Sequence, residues 1–219
     1  MDNKLSAFSE PSRLEVFFSV LEGYYLVPSF YSNYVDSLGL RGDERVLDYG
    51  SGPGALAVHV AKRLLASGGR LTCLDISKVW MTTIKKRLKK YPNVEFKLGS
   101  LKDLDTELDD ASYDDVIIHF VLHHVEEPTR TENLRIISRK LKETGKVFVR
   151  DMIRVEHGIQ PDEIRKSMIA AGLKELDFKM TKARFVGNMY EGVFGKKKED
   201  ARRPSGKQSI TQKLTISFP

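Results

Sequence analysis

Short apolar segments alternate with amphipathic segments through most of this chain, and this alternation limits the possible folds more than any other feature. The apolar segments predict strands at 45–49, 70–76, 94–98, 113–119 and 146–150. The amphipathic segments predict helices at 55–66, 78–91, 129–142 and 161–171. The strand centres are short continuous apolar runs, as in parallel strands that are buried on both faces. We therefore expect an α/β fold: a Rossmann-like, doubly wound and mostly parallel sheet in three layers, α/β/α.

The segments on either side of this core have different patterns. After Gly172, residues 173–182 and 184–195 predict two strands joined by a tight turn, which would give the sheet an antiparallel edge strand. Before the core, residues 12–22 and 28–38 predict two amphipathic helices. The chain therefore divides into three parts: an N-terminal helical lid segment (1–40), one main domain (41–195) and a basic C-terminal tail (196–219).

The N-terminal segment carries a group of aromatic residues, for which two interpretations stay open. They are Tyr24, Tyr25, Phe30, Tyr31 and Tyr34. Aromatic side chains at this density either cover a substrate pocket or pack a helix for stability while their hydroxyl groups reach water.

The positive charge of the chain is concentrated in its tail. Of the net charge of +6, residues 196–219 contribute +5, because they hold seven basic and two acidic side chains. The other 195 residues are almost neutral. The pI of about 9.2 therefore describes the tail and is weak evidence for a nucleic-acid partner, which is not expected but stays open.

Composition excludes several other classes of protein. The single cysteine, Cys73, excludes an intramolecular disulfide framework and a zinc site built on several thiolates, and we expect no metal. No apolar run approaches the roughly 20 residues of a membrane span. The polar N-terminus lacks the features of a secretory signal. These observations predict a cytoplasmic protein and leave its oligomeric state open.

The first predicted strand runs into a glycine-rich turn, VLDYGSGPG (46–54), which opens the next helix. Glycine allows the backbone to turn sharply and to come close to a ligand. The first N–H groups of the new helix then point at whatever binds there. The turn therefore predicts a nucleotide-type pocket.

A dinucleotide-binding domain is the rival interpretation of this turn. Gly50, Gly52 and Ala55 satisfy the dinucleotide fingerprint, and Asp75 lies at about the required distance. However, Asp48 places a carboxylate two residues before the first glycine, where it would repel a pyrophosphate. A carboxylate at this position suits a ligand with a cationic end, and no second domain follows to carry a dehydrogenase substrate.

Five segments together resemble the class I S-adenosylmethionine-dependent methyltransferases. They are the glycine turn with Asp48, the acid Asp75, FKLGSLKDL (96–104), DDVIIHFVLHHVEEP (114–128) and LKETGKVFVRDM (141–152). Their order and spacing match over about residues 40–195, and most closely in the small members with few insertions, which include quinone-biosynthesis enzymes. The resemblance implies S-adenosylmethionine as the cofactor.

The resemblance also implies a role for each matching residue at the methionine end of the cofactor. The turn that carries Gly50, Ser51, Gly52 and Gly54 would bring its backbone against the methionine part. Asp48 would face the amino group of that part. The main chain of His119, at the end of the fourth strand, would line the same end of the pocket.

At the adenosine end, the resemblance implies that Asp75 accepts hydrogen bonds from both ribose hydroxyls and that Ile76 packs on the adenine. The backbone near Leu101 would meet the adenine edge. Ser100 stands where many relatives have an acid that binds the adenine amino group. A neutral hydroxyl accepts that bond more weakly, so we expect looser recognition of adenine.

Three of the five histidines, His119, His123 and His124, lie within six residues after the fourth strand. One interpretation makes one of them a general base, because imidazole titrates near neutral pH. His119 and His123 are the candidates that we carry forward. The other interpretation is a structural turn with hydrogen-bonded histidines. Asp151, just past the fifth strand, is a candidate polar substrate contact or a helix cap.

The function predicted from the sequence is methyl transfer to a small or medium-sized organic acceptor by direct SN2 displacement. Two alternatives stay open. The first is methylation of RNA or protein with the basic tail as a tether, although that tail lacks interleaved aromatic residues. The second is a domain that binds S-adenosylmethionine without catalysis. The sequence does not identify the acceptor.

Overall fold

The computed structural model describes residues 10–12, 14–15, 28–153 and 158–197. The strands of this part are β1 (Arg45–Tyr49), β2 (Arg70–Asp75), β3 (Val94–Leu98), β4 (Tyr113–His119), β5 (Leu141–Met152), β6 (Leu173–Ala183) and β7 (Gly187–Lys196). Its α-helices are α1 (Pro28–Ser37), α2 (Ala57–Leu65), α3 (Lys78–Leu88), α4 (Glu127–Lys140) and α5 (Pro161–Ala170).

The seven strands form one sheet in the order β3-β2-β1-β4-β5-β7-β6. Strands β1 to β5 pair in parallel, and β7 lies antiparallel between β5 and β6. This confirms the predicted Rossmann-like, mostly parallel sheet with an antiparallel edge. The chain moves outward from β1 through β2 and β3 and then returns to the other side of β1 as β4. In such sheets ligands bind in the crevice at the carboxyl ends of the strands where this reversal occurs.

Side chains along each strand alternate between the two faces of the sheet, and each face has its own core. On one face, residues of β1, β4 and β5 pack with α4 and α5. On the other face, Val46 and Phe148 pack with α1, α2 and α3. Asp48 and Arg150 lie two residues further along the same two strands, and His119 has the same parity on β4. These three polar side chains therefore face the α1 side of the sheet at its carboxyl edge.

Two predicted boundaries differ from the structure. The helix predicted at 129–142 ends at Lys140, because Leu141 already pairs with Tyr113 on β4. Strand β5 thus begins earlier than the predicted residue 146. The strand predicted at 184–195 begins at Gly187, because residues 184–186 form the turn.

The helix predicted at 78–91 ends three residues earlier, at Leu88, and the remaining predicted elements agree with the structure to within two residues at each end. Gly172 closes α5 with a φ of +82°, as expected of a glycine at the end of a helix. Most of the helix predicted at 12–22, and residues 198–219 of the tail, lie outside the described residues. In the described part of the chain, no helix is long and apolar enough to cross a membrane.

Candidate active site

The glycine turn after β1 is fixed to the end of β2 by backbone hydrogen bonds. The N–H groups of Gly50 and Ser51 both donate to the carbonyl oxygen of Leu74, at 2.8 and 3.1 Å. Gly50, Gly52 and Gly54 all have positive φ angles, +75°, +52° and +78°, a region that glycine occupies without steric cost. A residue with a Cβ would be strained at each of these three positions, so the glycines allow the chain to form this turn.

The three glycines have different surroundings. A Cβ added at Gly50 would lie 2.5 Å from Cγ2 of Val121, and one added at Gly54 would lie 2.6 Å from Cγ1 of Ile84. Apart from its two chain neighbours, no atom of the described residues lies within 4 Å of a Cβ added at Gly52. The first and third glycines are therefore required by packing. The second borders open space and can receive a ligand against the backbone.

Asp48 lies beneath this turn and is almost fully buried. Its Oδ2 atom is buried and has no hydrogen-bond partner among the described residues. Burial raises the pKa of the Asp48 carboxyl to about 7, while the hydroxyl of Ser51 opposes the shift and the negative charge of Asp75 adds to it. A buried carboxylate oxygen without a donor is costly unless a ligand supplies one. The site therefore fits a ligand that brings an ammonium group to this position.

Asp75 ends β2 and holds two backbone donors. Its Oδ2 accepts a hydrogen bond from the N–H of Gly52 at 2.7 Å, and its Oδ1 accepts one from the N–H of Ser77 at 2.9 Å. Burial raises the pKa of the Asp75 carboxyl, while these backbone donors oppose the shift and the charge of Glu10 adds to it. Asp75 thereby joins the glycine turn to the start of α3.

Glu10 is a residue of this site that sequence reasoning missed. Its carboxylate accepts hydrogen bonds from the hydroxyl of Ser77 and from the N–H groups of Lys78 and Val79, at 2.5, 2.8 and 3.3 Å. It therefore caps the N-terminus of α3, where a carboxylate is favourable. The contact spans 67 residues in sequence, so no local pattern could have revealed it.

The predicted adenosine end of the pocket carries a carboxylate as well as the hydroxyl of Ser100. That hydroxyl donates to Oδ2 of Asp103 at 2.7 Å and accepts from the Asp103 N–H at 3.2 Å. Leu101 is buried, whereas Ile76 is 46% exposed just beyond the end of β2. An exposed apolar side chain here is available to a flat ligand. Sequence reasoning missed this acid, Asp103, which lies three residues after Ser100.

His119 lies at the end of β4 and is covered by three aromatic rings of α1, those of Phe30, Tyr31 and Tyr34, which we call the aromatic roof. Its ring centroid is 5.6 Å from that of Tyr31 and 5.4 Å from that of Tyr34. Its Nε2 atom is buried and has no partner among the described residues. Burial, and next the positive charge of Arg150, lower the pKa of His119 to about 3. The imidazole is therefore neutral at physiological pH.

Phe120 follows His119 in a left-handed backbone conformation, with a φ of +58°. This conformation is strained for a bulky residue. The Phe120 N–H donates to the carbonyl oxygen of Arg150 at 2.8 Å, and its ring stacks with Phe30 of α1 at a centroid distance of 6.2 Å. The strained turn thus adds a fourth ring to the roof, after Phe30, Tyr31 and Tyr34.

Arg150, on β5, is a second residue that sequence reasoning did not identify. Its guanidinium carbon lies 4.2 Å from the centroid of the Phe30 ring and 4.6 Å from that of Tyr34. Its Nε lies 3.0 Å from Oε1 of Glu191 on β7. Both charged side chains are about nine-tenths buried. The roof therefore covers a buried ion pair as well as a histidine.

His123 and Asp151 form a buried pair on the other side of the sheet. The His123 Nδ1 is 2.5 Å from Oδ1 of Asp151, and the His123 backbone N–H donates to Oδ2 at 3.3 Å. Oδ1 also accepts from the N–H of Met152 at 2.8 Å. Asp151 thus fixes the orientation of the imidazole.

The structure brings most of the predicted residues together at one edge of the sheet. Asp48, Asp75 and the glycine turn adjoin one another, and His119 follows on the neighbouring strand β4. His123 and Asp151 meet each other but belong to the opposite face. No group of three or more His, Cys, Asp or Glu side chains in the described ranges is arranged to hold a metal ion.

This chain resembles known methyltransferases in both sequence and fold. Residues 46–145 match a family model described as "Methyltransferase domain". Among curated relatives, a demethylmenaquinone methyltransferase of Clavibacter sepedonicus is 33% identical over 106 residues, which cover 48% of this chain and 40% of the relative. The ubiquinone/menaquinone biosynthesis C-methyltransferase UbiE of Rickettsia typhi is 28% identical over 125 residues, which cover 55% and 49%. The matches therefore span about half or less of these relatives.

Solved structures with the same fold match over a larger share of the chain. A SAM-dependent methyltransferase from Aquifex aeolicus superposes with a TM-score of 0.64 at 18% identity, over 84% of this chain and 98% of that one. The trans-methyltransferase CalH in complex with SAH gives a TM-score of 0.63 at 18% identity, over 82% and 62%. At such identities the likeness concerns the fold alone.

Proposed function

We propose that this chain, whose residues 46–145 match a family model described as a methyltransferase domain, transfers a methyl group from S-adenosylmethionine to a small organic acceptor. The observation that carries the proposal is the buried carboxylate of Asp48, whose Oδ2 lacks a partner among the described residues, beside the open backbone of Gly52. A cationic, amino-acid-like ligand end would satisfy both groups. The curated relatives named as quinone methyltransferases support an acceptor of low molecular weight.

The residues present fit the proposed cofactor along its whole length. Asp48 would bind the ammonium group, the turn at Gly52 would contact the methionine part, and Asp75 would bind the ribose. Ile76 would pack on the adenine, and the carboxylate beside Ser100 would bind the adenine amino group. When bound, S-adenosylmethionine supplies an electrophilic methyl group on a positively charged sulfur.

The other residues of the site would align the acceptor and exclude water. A direct displacement requires mainly that the nucleophile, the methyl group and the sulfur lie in line. The aromatic roof of α1 shields the carboxyl end of β4 from solvent and so favours a reaction that consumes charge. His119 is a poor general base, because its pKa is lowered to about 3. We assign it a hydrogen-bonding role toward the acceptor instead.

A base is required only for an acceptor that retains its proton. His123, in the turn 122–124 just past the end of β4, is the candidate for this role if the acceptor extends past the strand ends toward the opposite face. Its Nδ1 faces Asp151, so the tautomer with a proton on Nδ1 leaves the lone pair on Nε2. The carboxylate would stabilise the imidazolium that forms when Nε2 accepts a proton. In this proposal Asp151 is a positioning residue, rather than a substrate contact or a helix cap.

Two measurements test the proposed function. By calorimetry, S-adenosylmethionine should bind with micromolar affinity, whereas NAD should bind no better than at millimolar concentration. Micromolar binding of NAD without binding of S-adenosylmethionine would support the dinucleotide interpretation. The protein should then be incubated with a cell extract and the methyl-labelled cofactor. Label in the small-molecule or lipid fraction is expected and identifies the acceptor, and label in RNA or protein would favour the tail-tethered alternative.

Replacement of Asp151 by asparagine is expected to lower kcat by about 100-fold if the acceptor retains its proton, because the base then loses its oriented tautomer. The affinity for S-adenosylmethionine should change by less than about twofold, since the pair lies across the sheet from Asp48. The matched control is His124→Asn, the neighbouring imidazole, which should leave kcat unchanged. A wild-type kcat and pH profile in Asp151→Asn would show that the pair is structural.

Three further predictions from the sequence remain proposals. We propose that residues 1–40 act as a lid, which the position of α1 over His119 supports. We propose that residues 41–195 form the catalytic domain and that the tail 196–219 is not needed for turnover. A cytoplasmic location is also proposed.

A further inference from the structure

Three polar side chains form a row across the carboxyl edge of the sheet. In the strand register, His119 on β4 pairs with Arg150 on β5, and Arg150 pairs with Glu191 on β7. All three face the α1 side. In the same register Asp48 pairs with Ile117, two residues before His119. His119 therefore lies two residues closer to the carboxyl edge than Ile117, the strand partner of Asp48, and we place the acceptor at this edge.

The rings of the roof cover this row closely. Arg150 stacks against Phe30 and Tyr34 at 4.2 and 4.6 Å, and the His119 ring lies 4.2 Å from that of Phe120 between centroids. Phe30, Tyr31 and Phe120 stay partly exposed and provide packing surface for a planar ligand.

The carboxylate of the row is shared with a second cation, Lys179 on β6, whose side chain is 57% exposed. Glu191 is shared, because Arg150 lies 3.0 Å from its Oε1, Lys179 lies 3.2 Å from its Oε2, and the hydroxyl of Thr181 donates to Oε1 at 2.7 Å. One carboxylate thus faces two cations. A buried cation is stable only when it is paired and hydrogen-bonded.

Hydrogen bonding within the row is also incomplete. The Nη1 of Arg150 is buried without a partner among the described residues, and its Nε–H does not point at Glu191 despite the short distance. The Nε2 of His119 is unpartnered in the same part of the chain. Buried polar atoms without partners mark a place where a ligand can supply the missing hydrogen bonds.

We propose that Arg150 and His119 bind the methyl acceptor, and that this acceptor is a planar aromatic anion with a carboxylate, phenolate or enolate oxygen. That oxygen would face the guanidinium of Arg150, and the ring of the acceptor would pack against the roof. This inference rests on the proposed function, since it assigns the row to the acceptor of that reaction. A charge-assisted bond to arginine is stronger than a bond to a neutral group and has a defined direction.

The arrangement favours an anion over a cation. An aromatic cluster alone would also attract a cation, but here the rings already stack on Arg150. The neutral imidazole of His119 adds no charge and offers one donor and one lone pair. It can therefore bind a hydroxyl or carbonyl oxygen on the same acceptor.

The test compares matched probes on the full chain without cofactor. The three monohydroxybenzoates and the three corresponding monohydroxybenzamides have the same shape but differ in charge, and their affinities can be measured by calorimetry at pH 7.5. We expect at least one benzoate to bind about 30-fold more tightly than its amide. The variant Arg150→Met should remove this preference and leave the affinity for the amide within about threefold.

Arg165→Met is the matched control, because Arg165 on α5 has the same chemistry on the other face of the sheet. It lies over the rings of Phe178 and Tyr190 at 4.5 and 5.3 Å and pairs with Glu175 at 2.8 Å. This variant should keep the preference for the benzoate. If Arg150→Met does not fold, Arg150→Lys keeps the charge and should weaken benzoate binding by about fivefold, since the planar fork is lost.

Three outcomes would overturn the inference. They are equal affinities for benzoates and amides in the wild type, an unchanged preference in the Arg150 variants, and no binding of any of the six probes. Binding of S-adenosylmethionine is measured separately on the same protein. A failure of the proposed function therefore appears there, and a failure of the acceptor inference appears only with the benzoates.

Discussion

Replacement of Gly52 by alanine is expected to weaken the binding of S-adenosylmethionine by about 30-fold while the protein still folds. A methyl group at this position would meet no atom of the described residues within 4 Å, apart from its chain neighbours, so it would project into the space that we assign to the cofactor. Overfilling a packed contact by one methyl group costs about 1–3 kcal/mol. The φ of +52° adds about 1–2 kcal/mol of backbone strain, which should lower Tm by a few degrees.

Two other glycines provide the controls for this experiment. Gly39 has a φ of +68° and also has no atom within 4 Å of an added Cβ, but it lies in the loop before β1. Gly39→Ala should lower Tm to the same extent and leave the affinity unchanged. Gly54→Ala should destabilise the fold more strongly, because the methyl group would collide with Ile84. If Gly52→Ala bound the cofactor as tightly as the wild type, the ligand could not lie against this turn.

The affinity for S-adenosylmethionine is expected to fall about 20-fold between pH 7.5 and pH 5.5. The pKa of Asp48 is raised to about 7, chiefly by burial, so the carboxyl group is mainly ionised at the upper pH and protonated at the lower. Only the ionised form attracts an ammonium group. Titration calorimetry across this range measures the effect. The matched variant Asp48→Asn should bind weakly at both pH values and show a flat profile.

The stability of the ligand-free protein should respond to pH in the opposite direction. For Asp48 the folded-state pKa of about 7 lies above its ordinary value of 3.8, so the folded protein retains a proton that the unfolded chain has lost. The contribution of this group to stability is therefore full below about pH 4 and is lost as the pH rises to about 7. Asp48→Asn should remove this slope. A wild-type protein without either pH dependence would show that Asp48 is ionised with a partner of its own.

Much of the fold and half of the site could be predicted because the relevant signals are local. The alternation of strands and helices, and the turn between Asp48 and Gly54, depend on residues close together in sequence. The register of the sheet then places Asp75 beside Gly52. These parts follow from periodicity and from the conformational freedom of glycine.

The rest of the site depends on contacts between distant parts of the chain. Arg150 meets Glu191 only because β7 inserts antiparallel beside β5. Glu10 contacts the start of α3 across 68 residues of sequence. The low basicity of His119 likewise follows from its burial and from the positive charge of Arg150. No pattern of spacing encodes such effects, since the residues concerned are ordinary in their local context.

The way in which Asp75 is held has a consequence for the sugar that it can recognise. Each of its two carboxylate oxygens accepts one backbone N–H, from Gly52 and from Ser77, and each oxygen has a second lone pair. The backbone therefore fixes the plane of the carboxylate and leaves one acceptor direction on either side. Such a pair of parallel acceptors is complementary to a vicinal diol. If Asp75 binds the sugar as proposed, a deoxyribose would leave one of these directions unused, so we expect the end of β2 to favour a ribose over a deoxyribose.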